Sequence, residues 1–196
     1  MVSTTDAGTK TKRAPALAPD ERRAMIVTAA VPLLVEHGDR FTTRQVAEAA
    51  GIAEGTIFRV FADKDEIIRA VVEAALDTAP LEAALDDIPG GLDFEGHLAA
   101  AVEIMQQRVI DVWRVTSSVG TRFHDSTRRP MADSDALVRF FAANREHITV
   151  EPIVAARLLR ALTLSTTHPM LAGEPKSPGE LVQLFLHGVG GGGASC

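Results

Sequence analysis

Tyrosine is absent from the 196 residues, cysteine and tryptophan occur once each, and aromatic residues make up 5%. The lone Cys196 follows a glycine run, so no internal disulfide is possible and neither thiol redox chemistry nor a cysteine metal site is expected. No apolar run approaches the ~18 residues of a membrane helix. The longest, from Ala24 to Val35, is interrupted by Thr28 and Pro32. Residues 1–19 carry Lys10, Lys12 and Arg13 with no apolar block behind them, so no secretory signal is expected and the cytoplasm is the expected location. Basic surplus is also missing, since the net charge is −6. It is uneven, however: residues 1–70 hold ten basic and ten acidic side chains, and residues 71–196 hold ten and sixteen. A neutral first segment is compatible with a polyanionic partner without requiring one. With 46% apolar and 23% charged residues the composition is that of a globular protein rather than a disordered chain.

What is present is helical periodicity, punctuated by glycine and proline, which predicts an all-α protein. The first helix is expected from Asp20, as N-cap, to Gly38, burying Ile26, Ala29, Ala30, Leu33 and Leu34. Two short helices follow at residues 43–50 and 54–61, then a longer one at 63–76. Pro80, Pro89, Gly90 and Gly91 mark residues 77–93 as a linker and a domain boundary. Beyond it Leu98, Val102, Met105, Val109 and Val112 recur at helical steps in one long helix, 94–119, with Gln106, Arg108 and Asp111 off that stripe. Helices at 134–147, 151–166 and 177–189 complete the expected fold, the middle one apolar on more than one side. The expected organisation is thus a flexible basic arm (1–19), an N-terminal three-helix domain with its connecting helix (20–76), a C-terminal helical domain (77–189) and a flexible tail (190–196).

Gly51 separates two helices whose facing positions, Val46, Ala50, Ile52, Ile57 and Val60, are small or apolar, with Ala47 at their close crossing. A large side chain at Ala47 would force the helices apart, and Gly51 supplies a left-handed turn. This is the pattern of a helix-turn-helix. The same pattern serves in ordinary helical packing, so DNA binding and a plain helical pair both remain open on these residues alone.

The stretch FTTRQVAEAAGIAEGTIFRVFADKDEII, Phe41 to Ile68, together with AAVPLLVEHG before it, resembles the tetracycline-repressor (TetR-like) family. The resemblance implies an N-terminal helix-turn-helix DNA-binding domain and a C-terminal helical ligand-binding and dimerisation domain. It further implies a homodimeric transcription regulator, usually a repressor, that binds a palindromic double-stranded DNA operator and is released by a small-molecule effector. Carried onto this chain, it points to Thr42 and Thr43 as phosphate contacts or helix caps, and to Arg44 as a backbone or guanine contact. Gly55 is expected at a close approach to DNA, with Thr56, Arg59 and Lys64 gripping phosphates. Phe58 stands where the family has tyrosine, keeping a stacking face without the hydroxyl, and Val60 stands where it has histidine, removing a donor. Ala53 replaces a capping serine, and Glu54, counted among the DNA-facing residues, either accepts from a cytosine amine or, as the favoured reading, supports the helix start through its dipole. About four phosphates per subunit, or ~8 per dimer, would make binding steeply salt-dependent. The arm residues Lys10, Lys12 and Arg13 would either reach a minor groove or remain a tail. The rival reading is a helical ligand-binding or interaction protein with a degenerate helix-turn-helix.

For a small-molecule site the best candidates are Met105, Val109 and Trp113 on the long helix, meeting Phe123, Phe140 or Phe141 across a bundle, with an apolar ligand expected. Arg122, Thr166 and His168 are possible polar partners. Gly188, Gly190 and Gly193 satisfy G-x-G-x-x-G but lack the strand before and the helix after that phosphate binding requires. His124, Asp125 and Ser126 are consecutive and do not converge like a hydrolase triad, and His147 with Glu146 and Glu151 lacks metal-ligand spacing. No catalytic residue, metal or cofactor is expected.

Overall fold

The computed structural model describes residues 18–120, 123 and 132–188. Residues 1–17 of the basic arm, with Lys10, Lys12 and Arg13, the glycine tail, Arg122 and the His124 to Ser126 run lie outside the described residues. Within them the chain is helical with no strand, and no helix is long and apolar enough to cross a membrane.

Helix α1, Pro19–His37, starts one residue before the expected N-cap, because Pro19 takes the first helical position, where its missing donor costs nothing. Asp20 falls inside the first turn, and the Glu21 carboxylate accepts the Ala18 N–H at 3.0 Å. Gly38, at φ 60°, ends the helix. Helix α2, Thr43–Ala49, opens with a reciprocal cap: the Thr42 hydroxyl accepts the Gln45 N–H at 3.2 Å and the Gln45 side chain accepts the Thr42 N–H at 2.8 Å. Helix α3, Glu54–Ile57, is a single turn, and α4, Lys64–Leu76, is capped by the Asp63 side chain.

The expected linker carries a helix of its own, α5, Ala79–Asp86. Pro80 lies in its first turn, where proline is tolerated, so a residue read as a breaker is here a starter. Leu85 and Ile88 turn inward and are buried. Helix α6, Phe94–Ser118, is the long amphipathic helix. Helices α7, Asp135–Ala143, α8, Pro152–Thr167, and α9, Pro178–His187, pack around its first half, with α8 against α6, α7 and α9.

Two apolar cores result. The first joins Ile26, Leu34, Phe41, Ile57, Phe61 and Ile67, all at most 1% exposed. It also takes in Val115, Val119 and Phe123 from beyond the expected boundary, because the end of α6 lies against α1 and α4. The second is built around Leu98, Val102, Phe141, Leu159 and Leu181. An aromatic stack roofs it: Phe94 lies 5.5 Å from Phe140 and 4.4 Å from His147, and His97 stacks on Phe140 at 3.9 Å.

Candidate nucleic-acid interface

Gly51 makes the turn between α2 and α3 at φ 67°, a conformation that costs a side-chain-bearing residue strain. The Ile52 N–H reaches back to the Ala47 carbonyl at 3.0 Å, and Val46, Ala47 and Ile57 close the contact beneath the turn with at most 3% exposure. Burying Ile57 and Phe61 contributes about 1.5–3 kcal/mol each, enough to seat a helix of one turn that could not stand alone. Behind them the Arg23 guanidinium lies 4.3 Å from the centre of the Phe61 ring and 3.2 Å from the Glu66 carboxylate. The Ala62 N–H, and then Arg23, hold the Glu66 carboxyl below its usual range.

With Ile57 and Phe61 turned inward, the other side of the segment faces out. Gly55 and Arg59 are exposed, Thr56 is half-buried, and Phe58 is 54% exposed although it is a large apolar ring. Arg59 has no ion-pair partner among the described residues, so its charge is available to something outside the chain. Nothing lies within 4 Å of where a Gly55 side chain would begin. The chain's own packing therefore gives no reason for glycine there, and in a helix it is about 1 kcal/mol worse than alanine. We expect Gly55→Ala to raise the melting temperature while weakening duplex binding; equal binding by the variant would show that no partner backbone approaches this face.

The remaining expected contacts are engaged within the chain. The Thr42 hydroxyl serves the cap of α2. Thr43 donates to the Glu54 carboxylate at 2.6 Å, clipping the starts of α2 and α3 together, so Glu54 has a hydroxyl partner as well as a helix-start position. Arg44 pairs along its own helix with Glu48 at 2.9 Å, both side chains remaining exposed. Lys64 turns inward: its ammonium donates to the Asp39 carbonyl at 2.5 Å and lies 5.7 Å from the centre of the Phe41 ring. It ties the start of α4 to the turn after α1, a contact between segments far apart in sequence that no local pattern signals.

Between the end of α4, α5, α6 and α8 lies a cavity of about 450 Å³. Met105, Val109 and Trp113 line it, with His168 edge-on to Trp113 at 4.6 Å. The three phenylalanines expected opposite them are elsewhere. Phe123 packs in the N-terminal core, and Phe140 and Phe141 belong to the aromatic stack and the core under it. The rotation of α7 carries them toward Phe94 and Phe185 instead. Thr166 bonds to the Leu162 carbonyl and does not line the cavity. Arg108, expected off the stripe, does line it, as do Arg160 and Thr163. The spacing held the signal for Arg108, which stands three residues after Met105 and four before Val112, on the same helical face.

Residues 26–71 match the family described as bacterial regulatory proteins, tetR family. The HTH-type transcriptional regulator HbdR of Aromatoleum sp. (strain CIB) is 40% identical over 60 residues, which are 30% of this chain and 26% of that protein, so the chain matches about a quarter of that relative's length. Over the whole fold, a crystal structure from Mesorhizobium loti MAFF303099, described as a TetR-family transcriptional regulator, superposes with a TM-score of 0.54 at 17% identity, covering 87% of this chain and 98% of that one. The fatty acid degradation regulator FadR from Bacillus halodurans superposes with a TM-score of 0.54 at 16% identity, covering 89% and 98%. At such identity the two structures speak to the fold alone. The helix-turn-helix built on Gly51 and the sequence match around it agree: residues 26–71 are similar to the tetR family of bacterial regulatory proteins, and the all-helical architecture beyond them is shared with the solved structures as a fold.

Proposed function

We propose that the chain is a ligand-responsive transcriptional regulator, a repressor that binds a palindromic DNA operator as a homodimer and is released by a small-molecule effector. The observation that carries this reading is the outward face of the α3 segment, where Gly55, Phe58 and Arg59 stand uncovered beside the half-buried Thr56, above the buried Ile57 and Phe61. A glycine without intramolecular purpose, an exposed ring and a free guanidinium form a surface suited to a groove wall and its phosphates. Thr42, Thr43, Arg44 and Lys64 flank this face and would join the contact if their internal bonds exchange for phosphate oxygens.

Two-fold symmetry is favoured by α8. Its inner side packs through Ala155, Ala156 and Leu159, while Ile153, Val154 and Leu158 stay 38–52% exposed on the opposite side. Pairing α8 and α9 with their copies in a second subunit would cover these side chains and place two α3 segments in successive major grooves, ~34–36 Å apart. Leu158→Glu is expected to convert the dimer to a monomer in sedimentation velocity and to abolish binding to a two-half-site duplex; a variant that still dimerises would remove this face from the interface. The cavity beside Trp113 is the effector site in this reading, and an effector acts by binding the DNA-released state better than the DNA-bound one.

Selection of bound duplexes from a random library tests the whole. Recovery of an inverted repeat is the expected result. Failure to enrich any sequence, with binding equally weak to all duplexes, would favour a helical ligand-binding protein whose helix-turn-helix no longer reads DNA.

A further inference from the structure

The cavity beside Trp113 is apolar over most of its wall, yet two arginines from different helices line it, Arg108 of α6 and Arg160 of α8. Each is half-buried, and desolvation lowers the pKa of each guanidinium below its ordinary value. Neither has a carboxylate partner in a salt bridge among the described residues. Arg108 donates to the Asp77 carbonyl at 2.5 Å, and Arg160 donates to the Ala132 carbonyl. Those single bonds to backbone hold the planar forks in place and leave donors unspent, since a guanidinium carries five N–H groups.

The acidic groups nearby are committed to other partners. Asp77 accepts the Ala79 N–H at 3.1 Å, and Asp111 pairs with Arg114 at 3.6 Å and accepts from Gln107. Glu82 accepts the Ala136 N–H at 2.9 Å, and both Asp133 oxygens are taken by Arg157 at 2.7 and 2.6 Å. Asp77, which lines the cavity, and Asp111 offset the Arg108 charge in part, as Glu82 and Asp133 do for Arg160, but desolvation outweighs them and neither guanidinium is salt-bridged, so two incompletely compensated positive charges stand at an apolar wall, an arrangement that favours an anion between them.

We propose that the cavity takes an amphipathic organic anion, a carboxylate or equivalent head on an apolar body, with Arg108 and Arg160 receiving the charge and Met105, Val109 and Trp113 covering the body. This rests on the reading of the cavity as the effector site, and it replaces the purely apolar ligand expected from the sequence. The Arg108 bond to the Asp77 carbonyl adds a consequence. Asp77 directly follows α4, so an anion that draws Arg108 away releases a tether on the helix that leads back to Lys64 and the DNA-facing segment.

Trp113 is the chain's single tryptophan and lines the cavity, so its fluorescence reports occupancy without a label. The test titrates the full chain with two matched pairs: decanoate and decanamide, then 2-naphthylacetate and 2-naphthylacetamide. At least one acid should bind roughly tenfold or more tightly than its amide, the scale of one charge-assisted contact. Arg108→Gln and Arg160→Gln should each remove most of that preference while leaving the amide's affinity nearly unchanged, and Arg108→Lys, which keeps the charge, should restore part of it. Far-ultraviolet circular dichroism and melting of each variant identify any that fail to fold, in which case the wild-type acid-to-amide ratio decides alone. Equal binding of acid and amide, a ratio that survives both glutamine variants, or no response of Trp113 to any of the four compounds at millimolar concentration would overturn the proposal. Operator affinity measured beside these titrations separates the two readings. Acids that occupy the cavity but leave duplex binding unchanged would refute the regulatory function and not the anion site; amides that bind as tightly as their acids and release the duplex would do the reverse.

Discussion

Phe141→Ala is expected to lower the stability of the protein by about 3–5 kcal/mol, the range for deleting a fully buried aromatic side chain whose site cannot collapse. Phe141 is 0% exposed. Its ring meets Phe140 of its own helix at 5.5 Å, Phe185 at 5.9 Å and Phe94 at 6.4 Å, so α6 and α9 lose a shared partner at once. Against the ~5–15 kcal/mol that separates folded from unfolded states in ordinary domains, this is a large fraction. Urea denaturation measures it directly. Phe58→Ala is the control: at 54% exposure the ring covers little of its own chain, and a change within about 0.5 kcal/mol is expected. A cost below about 1 kcal/mol for Phe141→Ala would contradict the description of the second core.

Arg59→Ala is expected to weaken duplex binding about a hundredfold in a dimer. Each subunit loses one charge-assisted contact worth ~1.5 kcal/mol, and two such losses come to roughly that factor. The salt dependence carries the sharper signature. The slope of log affinity against log salt should become shallower by about 1.8, which is two phosphates at 0.9 each. Lys64→Ala makes the informative contrast, because its ammonium already has an acceptor in the Asp39 carbonyl. If that ammonium swings out to a phosphate in the complex, its loss also flattens the slope; if it stays with Asp39, the variant loses stability and keeps the slope. An unchanged slope for Arg59→Ala would remove the outward face of α3 from the interface.

The helix-turn-helix was legible because each of its positions has a local reason that a sequence displays. Gly51 is needed for a left-handed turn, Ala47 for a close crossing, and Ile57 and Phe61 sit one helical turn apart on the side that must be dry. Whether the polar residues around it face a partner or one another depends on the angle between α2 and α3, which spacing does not encode. Thr43 therefore gave no sign of its bond to Glu54, nor Lys64 of its bond to Asp39. The same limit explains the cavity. Met105, Val109 and Trp113 share a stripe on one helix and could be grouped from spacing alone. What stands across from them was set by the rotation of α7 and α8, which turned Phe140 and Phe141 toward Phe94 and brought Arg160 in. Helix α5 was hidden by Pro80, since proline marks a first turn as readily as a break and only packing against α6 distinguishes them.

Helix α6 belongs to both cores, with Leu98 and Val102 in one and Val115, followed by Val119 just past its end, in the other. Anyone grafting this reading head onto a foreign sensor body would therefore inherit a wound if the splice were made at residue 77. The transplanted piece would arrive without Val115, Val119 and Phe123, leaving the apolar faces of α1 and α4 that pack against the end of α6 bare to water. A workable chimera has to carry the last turns of α6 along with the head, which makes this helix part of the part-list for any rewired biosensor rather than a spacer between interchangeable modules.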